Sequence, residues 1–230
     1  MNSGGISVKG KFHKKNQDSF ICEKIGSSYI AAVSDGLGSK IFSEKGSTAL
    51  VNAARAIFFG RNGRIENLAD FGEFIFEIYN RWLISLEVQN FSVKDCYCTA
   101  LICVVLEKKI FVARLGDGFT GIRADSKNFC FFDDKKNKFV NETDCLTENF
   151  KIAEWQLEEI SYKKFEGAVL CTDGVAFGEN KAEKFLEDFC AKNFNKPRLA
   201  ILNELKILLE NWKSNDDKTL AFILAKTEVI

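Results

Sequence analysis

The sequence has little of several residues on which common functional sites depend. Its 230 residues include one proline, one methionine and one histidine, so the lone His13 excludes a zinc site built from several imidazoles. The 32 basic and 32 acidic side chains cancel, which leaves no bulk field for nucleic acid or an anionic membrane. No apolar run approaches the ~18 residues that a membrane span needs. We therefore expect neither nucleic acid nor a membrane as a partner.

Targeting and cross-linking signals are also missing. Residues 1–10 lack the apolar segment of a signal peptide, which predicts a cytoplasmic location. The eight cysteines are scattered and form no C-x-x-C pair, which favours reduced thiols in the core over a structural zinc site. The length, without a linker or repeat, predicts one domain over residues 1–230.

Strand-like and helix-like segments alternate along the chain. Apolar runs predict strands, and apolar residues at helical spacing predict four helices, the first with Ser43 as its N-cap. Residues 133–159 are polar and the least regular part. Helices that occur in pairs between sets of strands predict layers, with helices outside and sheets inside. The predicted strands include residues 28–34, 98–106, 109–115, 168–172 and 219–225, and the predicted helices span residues 43–59, 67–88, 181–193 and 197–212.

Three apolar strands end in the same pair of residues. Asp35, Asp117 and Asp173 each follow a buried run and precede a glycine. A carboxylate there points out of the sheet, and the glycine allows a close approach of backbone or ligand. Asp-Gly is also a common hairpin turn, so a single example means little. The recurrence points to a site.

Two more aspartates extend this pattern. Asp18 leads into a strand after a basic loop, and Asp216 leads into the last strand. Carboxylates gathered at one end of a sheet repel each other, and bound divalent cations offset that repulsion. Oxygen ligands select magnesium, manganese or calcium, and two such ions activate water and neutralise a phosphoryl oxygen. The residues alone thus favour a metal-dependent phosphate-ester hydrolase.

The order of these motifs resembles the protein phosphatase type 2C family, and most closely its shorter bacterial branch. The family's opening Arg-x-x-Asn-Glu-Asp segment and its Asp-Gly-x-Gly turn correspond to residues 13–18 and 35–38. Its Gly-Asp-Gly and Thr-Asp-Gly blocks correspond to residues 116–118 and 172–174, and its closing Asp-Asn-x-Thr to residues 216–219. The match spans nearly the whole chain.

The resemblance implies a fold, a cofactor and a set of ligands. The fold is α+β, a four-layer α-β-β-α sandwich with two mainly antiparallel sheets flanked by pairs of helices. The cofactor is two Mn²⁺ or Mg²⁺ ions with a water between them, and a third ion in some states. The implied metal ligands are Asp18, Asp35, Gly36, Asp117, Asp173 and Asp216.

The resemblance also gives these ligands separate roles. Asp35 bridges both ions and the Gly36 carbonyl binds one of them. Asp18 holds the second ion, directly or through water. Asp117 helps to hold a weaker third ion, and the remaining two aspartates hold the first.

The chain departs from the family beside the metal ligands. His13 occupies the position of the arginine that clamps the substrate phosphate, and a neutral imidazole cannot form that planar fork. His13 is therefore a candidate phosphate contact or proton donor, with a plain loop residue as the alternative, and Lys14 is a candidate source of positive charge. Leu37 stands where many members carry a histidine. Residues 121–164 include a short insert at the position of the family's flap.

The function that follows is hydrolysis of phosphoserine and phosphothreonine in proteins by a metal-activated water. The partner is then a phosphoprotein substrate, with a serine/threonine kinase acting in opposition, and the oligomeric state stays open. One alternative is another metal-dependent phosphoesterase, such as a nuclease, against which the single histidine and the lack of a basic stripe argue. The other is a weak or inactive signalling module that keeps the fold and binds a phosphoprotein or a kinase.

Overall fold

The structure, a computed structural model, describes residues 1–132, 144–175, 177 and 179–226. The strands of this part of the chain are β1 Asn2–Val8, β2 Ser19–Ile25, β3 Ser28–Ser34, β4 Ala100–Val105, β5 Lys109–Leu115, β6 Phe119–Ala124, β7 Lys127–Phe131, β8 Gln156–Ser161, β9 Phe165–Cys171 and β10 Lys218–Leu224. Its α-helices are α1 Ser43–Gly60, α2 Leu68–Val88, α3 Glu179–Asn193 and α4 Arg198–Glu210.

The strands form two five-stranded sheets. One sheet has the order β1-β10-β9-β6-β7, and the other has the order β2-β3-β4-β5-β8. Neighbouring strands are antiparallel throughout. This confirms the predicted α+β class with two antiparallel sheets.

Strand β3 shows why the inner strands are apolar on both faces. Ala31 and Val33 pack between the two sheets with residues of the opposite sheet such as Leu170. Ile30 and Ala32 point the other way, into a core shared with α1 and α2. Side chains alternate between the faces of a strand, so a strand covered on both sides needs an unbroken apolar run.

The helices cover the outer faces of the sheets in two pairs. Helices α1 and α2 share a core with the β2-to-β8 sheet, and helices α3 and α4 share one with the β1-to-β7 sheet. The fully buried Trp82 of α2 also donates its indole N–H to the Gly46 carbonyl of α1, at 3.1 Å. The predicted four-layer order is therefore confirmed. None of the helices among the described residues has the length and apolar character that a membrane span requires.

Three sequence predictions change or stay open against this fold. Ser43 is wrong as the N-cap of α1, because Phe42 holds that position and makes no side-chain capping bond. The end of the supposedly irregular segment 133–159 enters strand β8 and so belongs to the edge of a sheet. Strands β7 and β8 also fall within 121–164, while residues 133–143 lie outside the described residues, so the flap stays a prediction.

Candidate active site

The pairing of β2 with β3 brings the first two aspartates together. Ser19 of β2 pairs with Ser34 of β3. Asp18 immediately precedes the first of these residues and Asp35 immediately follows the second, so both lie at the same end of the ladder. Their carboxyl groups interact, and the negative charge of Asp18 raises the pKa of Asp35. Two residues that are 17 positions apart in the sequence thus become one acidic pair.

The pairing of β9 with β10 places Asp173 and Asp216 at the same end of the other sheet. The last pair of this ladder joins Cys171 to Leu220, and the Thr172 N–H then donates to the Thr219 carbonyl at 3.1 Å. The chain turns sharply beyond it. A Cβ added to Gly174 would lie 1.8 Å from the Asp217 carbonyl oxygen, so only glycine permits this approach.

Asp117 lies in the short connection that carries the chain from one sheet to the other. It is flanked by Gly116 and Gly118, whose φ angles of 97° and 111° are left-handed and favour glycine. Beside this connection, Thr99 binds the backbone of Asp35 from both directions. The Thr99 hydroxyl accepts from the Asp35 N–H at 2.9 Å, and the Thr99 N–H donates to the Asp35 carbonyl at 2.8 Å.

These chain segments surround a cavity of about 190 Å³ at one end of the β-sandwich. The structure thus brings together the predicted candidates His13, Asp35, Gly36, Asp117, Asp173 and Asp216, and adds Leu37, Gly38 and Thr99 to the lining. Asp18 is not part of the lining, but its carboxyl group contacts that of Asp35. Lys14 is exposed and does not line the cavity, so its role stays a prediction.

The acidic pair is electrostatically unfavourable without a cation. Burial raises the pKa of Asp18 to about 7, although hydrogen bonds with Thr219, Asp35 and Thr172 act in the opposite direction. Burial, together with the nearby charges of Asp18, Asp173 and Asp117, raises the pKa of Asp35 well above its ordinary range. Carboxylates that burial and mutual repulsion disfavour in this way are the usual setting for a bound metal ion.

The ligand atoms fit hard divalent cations. Asp18 is 8% exposed, and its Oδ2 accepts from the Thr172 hydroxyl at 2.8 Å. Its Oδ1 is buried and has no hydrogen-bond partner within the described part of the chain. A buried carboxylate oxygen without a partner is costly unless a cation binds it. Carboxylate oxygens around a small cavity are the ligands that Mg²⁺ and Mn²⁺ select.

His13 occupies the rim of this cavity and is held by the two aspartates before β10. Its Nδ1 lies 3.1 Å from Asp217 Oδ2 and 3.5 Å from Asp216 Oδ1. It is therefore anchored at the cavity, while its contact with the phosphate stays a prediction. Sequence reasoning named His13 but did not single out Asp217 or Thr99. The signal for Asp217 was an aspartate in the place of the family's asparagine.

The architecture and the site define a class: two antiparallel sheets between pairs of helices, with aspartates gathered at one end of the sandwich, as in the protein phosphatase 2C fold. The family model described as protein phosphatase 2C matches residues 11–210 of the chain. The chain belongs to the protein phosphatase 2C family.

Solved structures show the same fold at low sequence identity. A bacterial serine phosphatase has a TM-score of 0.70 at 14% identity, with all of both chains covered. The serine/threonine phosphatase Stp1 from Staphylococcus aureus has a TM-score of 0.71 at 15% identity, covering 98% of this chain and 95% of that one. The catalytic domain of the phosphatase PstP, in complex with two manganese ions, has a TM-score of 0.66 at 14% identity and 98% coverage of both chains. No curated protein matches the sequence.

Proposed function

We propose that the protein hydrolyses phosphoserine and phosphothreonine in proteins with the aid of two Mn²⁺ or Mg²⁺ ions. The observation that carries this proposal is the cavity where four aspartates from separate segments meet, with the carboxyl group of Asp18 beside that of Asp35. The family and the manganese-containing neighbour support it. When bound, the ions would supply an activated water and neutralise charge on the phosphoryl group.

The chain's own residues have separate tasks in this proposal. Asp35, the Gly36 carbonyl, Asp173 and Asp216 would bind the ions from the cavity wall. Asp18, whose carboxyl group interacts with that of Asp35, would bind an ion directly or through water. The protein needs little further chemistry, since phosphoryl transfer to water depends mainly on positioning and neutralisation of charge. Asp117 would serve a weaker third ion, and Thr99 fixes the backbone that carries Asp35.

Metal-dependent turnover with and without Asp35 tests the proposal. Wild-type protein should hydrolyse p-nitrophenyl phosphate and a phosphothreonine peptide in Mn²⁺ or Mg²⁺, and not in excess chelator. Asp35→Asn should abolish turnover, because it removes the carboxylate at the centre of the acidic group. Asp70→Asn is the matched control, since Asp70 lies at the start of α2 and contacts Arg61. Its activity should equal that of the wild type.

The same measurements separate the alternatives. Full activity in Asp35→Asn would contradict the site assignment. Metal binding without any turnover would favour a binding module, and hydrolysis of DNA or RNA in preference to phosphopeptides would favour a nuclease. The proposal also includes a serine/threonine kinase that acts in opposition, because the reaction needs a source of phosphorylated substrate. It includes a cytoplasmic location, which the sequence predicts.

A further inference from the structure

Asp217 is a buried carboxylate that is not among the proposed metal ligands. It is 2% exposed, and its Oδ1 accepts from the Gly10 N–H at 2.7 Å. Its Oδ2 accepts from the Gln17 N–H at 2.8 Å and lies 3.1 Å from His13 Nδ1. These contacts fix the loop before β2 to the start of β10. A buried charge with this many hydrogen bonds is stable without a cation.

The contact with Asp217 determines which nitrogen of His13 carries a hydrogen. A carboxylate only accepts hydrogen bonds, and both oxygens of Asp217 already accept backbone N–H groups. Nδ1 must therefore be the donor, which leaves Nε2 of the neutral ring with a free lone pair.

The other side of the imidazole faces the cavity. A Cβ added to Gly38 would lie 3.2 Å from His13 Nε2, and both residues line the cavity. The missing side chain of Gly38 thus provides the space in front of Nε2. The ring is held at one nitrogen and open at the other.

A metal site at His13, Asp216 and Asp217 is the competing interpretation, because one ligand atom from each lies within 4.8 Å of the others. That interpretation needs a lone pair on Nδ1. The hydrogen bonds of Asp217 assign a hydrogen there, and its two oxygens are engaged by N–H groups.

We propose that Asp217 is a positioning residue that holds His13 with Nε2 as a hydrogen-bond acceptor in the cavity, where it orients the attacking water. This inference rests on the proposed phosphatase function. It gives His13 a role opposite to that of a phosphate-clamping donor, because Nε2 accepts a hydrogen bond from the water and donates none to the phosphate. Orientation of a reacting group is a recognised source of catalysis.

The tautomer of His13 is the first test. His13 is the only histidine in the chain, so its ¹⁵N imidazole signals need no assignment. In the Mg²⁺-loaded wild type, at a pH where the ring is neutral, we expect a hydrogen on Nδ1 and none on Nε2. Asp217→Asn should shift the ring toward the Nε2–H form. A hydrogen on Nε2, or none on Nδ1, in the wild type would overturn the inference.

A double-mutant cycle is the second test. His13→Ala and Asp217→Asn should each lower kcat by about 10- to 100-fold with KM nearly unchanged, and the double variant should lose no more than either single one. Gly38→Ala, which leaves Asp217 intact, should also lower kcat because its methyl group crowds Nε2. Multiplied losses in the double variant would show that Asp217 acts independently of His13 and would contradict the proposal.

Two controls separate this inference from the proposed function and from misfolding. Asp70→Asn replaces another hydrogen-bonded aspartate away from the cavity and should keep the wild-type kcat. If Asp217→Asn fails to fold, His13→Ala and Gly38→Ala still test the role of His13 Nε2, since neither removes a hydrogen bond of Asp217 with the backbone. Full activity of His13→Ala would end this inference and leave the metal-dependent function standing. Absence of metal-dependent hydrolysis in the wild type would contradict both the proposed function and this inference.

Discussion

At the scale of single residues, the hydroxyl of Thr172 serves two buried groups at once. It donates to Asp18 Oδ2 at 2.8 Å and accepts from the Thr219 N–H at 3.0 Å. Thr172→Val keeps the shape but leaves both groups without this partner. We expect the free energy of unfolding to fall by about 1–3 kcal/mol, because buried polar groups lose a hydrogen bond. Urea unfolding of the metal-free protein measures this loss.

Thr120 provides the matched control for that substitution. It is buried on β6, and its hydroxyl has no partner among the described residues. Thr120→Val removes a hydroxyl whose burial is not compensated, so stability should stay unchanged or rise. A loss at Thr120 as large as that at Thr172 would attribute the effect to the valine side chain and contradict the explanation.

Single residues also show where sequence prediction of the site stops. Asp35 and Asp173 are found from the sequence because each follows an apolar run and precedes a glycine. Thr99 has no such local signal, since its place in the site depends on hydrogen bonds of its backbone and hydroxyl with the distant Asp35. Asp217 has only a weak sequence signal, an aspartate in the place of the family's asparagine, and its role is evident only from contacts with segments about 200 positions earlier.

At the scale of elements, one ion pair joins the end of α1 to the start of α2. Arg61 donates to Asp70 at 2.5 Å, and Asp70 also accepts from the Glu66 N–H at 2.9 Å. Burial acts to raise the pKa of Asp70, but the hydrogen bonds from Glu66 and Arg61 outweigh it and leave the pKa below its ordinary 3.8. The charged form of Asp70 therefore stabilises the junction.

This arrangement predicts a pH-dependent loss in Asp70→Ala. A lowered pKa in the folded state gives stability that is present above 3.8 and is lost as the pH falls through the folded-state pKa. We expect a deficit of about 1 kcal/mol at neutral pH that shrinks in acid. Unfolding curves at several pH values measure it, with Glu73→Ala in the same helix as the control. A deficit independent of pH would rule out the carboxylate as its source.

The elements themselves were largely predictable. Strand β3 and helix α2 follow directly from an unbroken apolar run and from helical spacing. Strand β8 was missed because an edge strand with mostly half-buried residues lacks that strong apolar signal. The N-cap of α1 was misassigned because the observed cap uses no side-chain hydrogen bond, so the serine signal had no structural counterpart.

At the scale of the whole molecule, the acidic cavity predicts that cations stabilise the fold. Each ion present at 100 times its dissociation constant adds about 2.7 kcal/mol of stability. For a chain of this size that corresponds to a rise of about 5–10 °C in the melting temperature. Thermal unfolding in Mg²⁺ or Mn²⁺, compared with chelator, measures this shift without reference to turnover.

Asp35→Asn gives the comparison for that measurement. It removes one charge from a group whose members repel each other, so the metal-free variant should melt at or above the temperature of the metal-free wild type. Its cation-dependent shift should be largely lost. An undiminished shift would place the stabilising ions elsewhere on the protein.

The position of the cavity gives the sandwich two unequal ends. Asp18 and Asp35 adjoin strands of one sheet, Asp173 and Asp216 adjoin strands of the other, and Asp117 sits in the link between them. Bound ions would thus link the two sheets at this end of the sandwich. In the metal-bound protein, the sheets should separate first at the opposite end, so amide hydrogens there should exchange faster than those near the site.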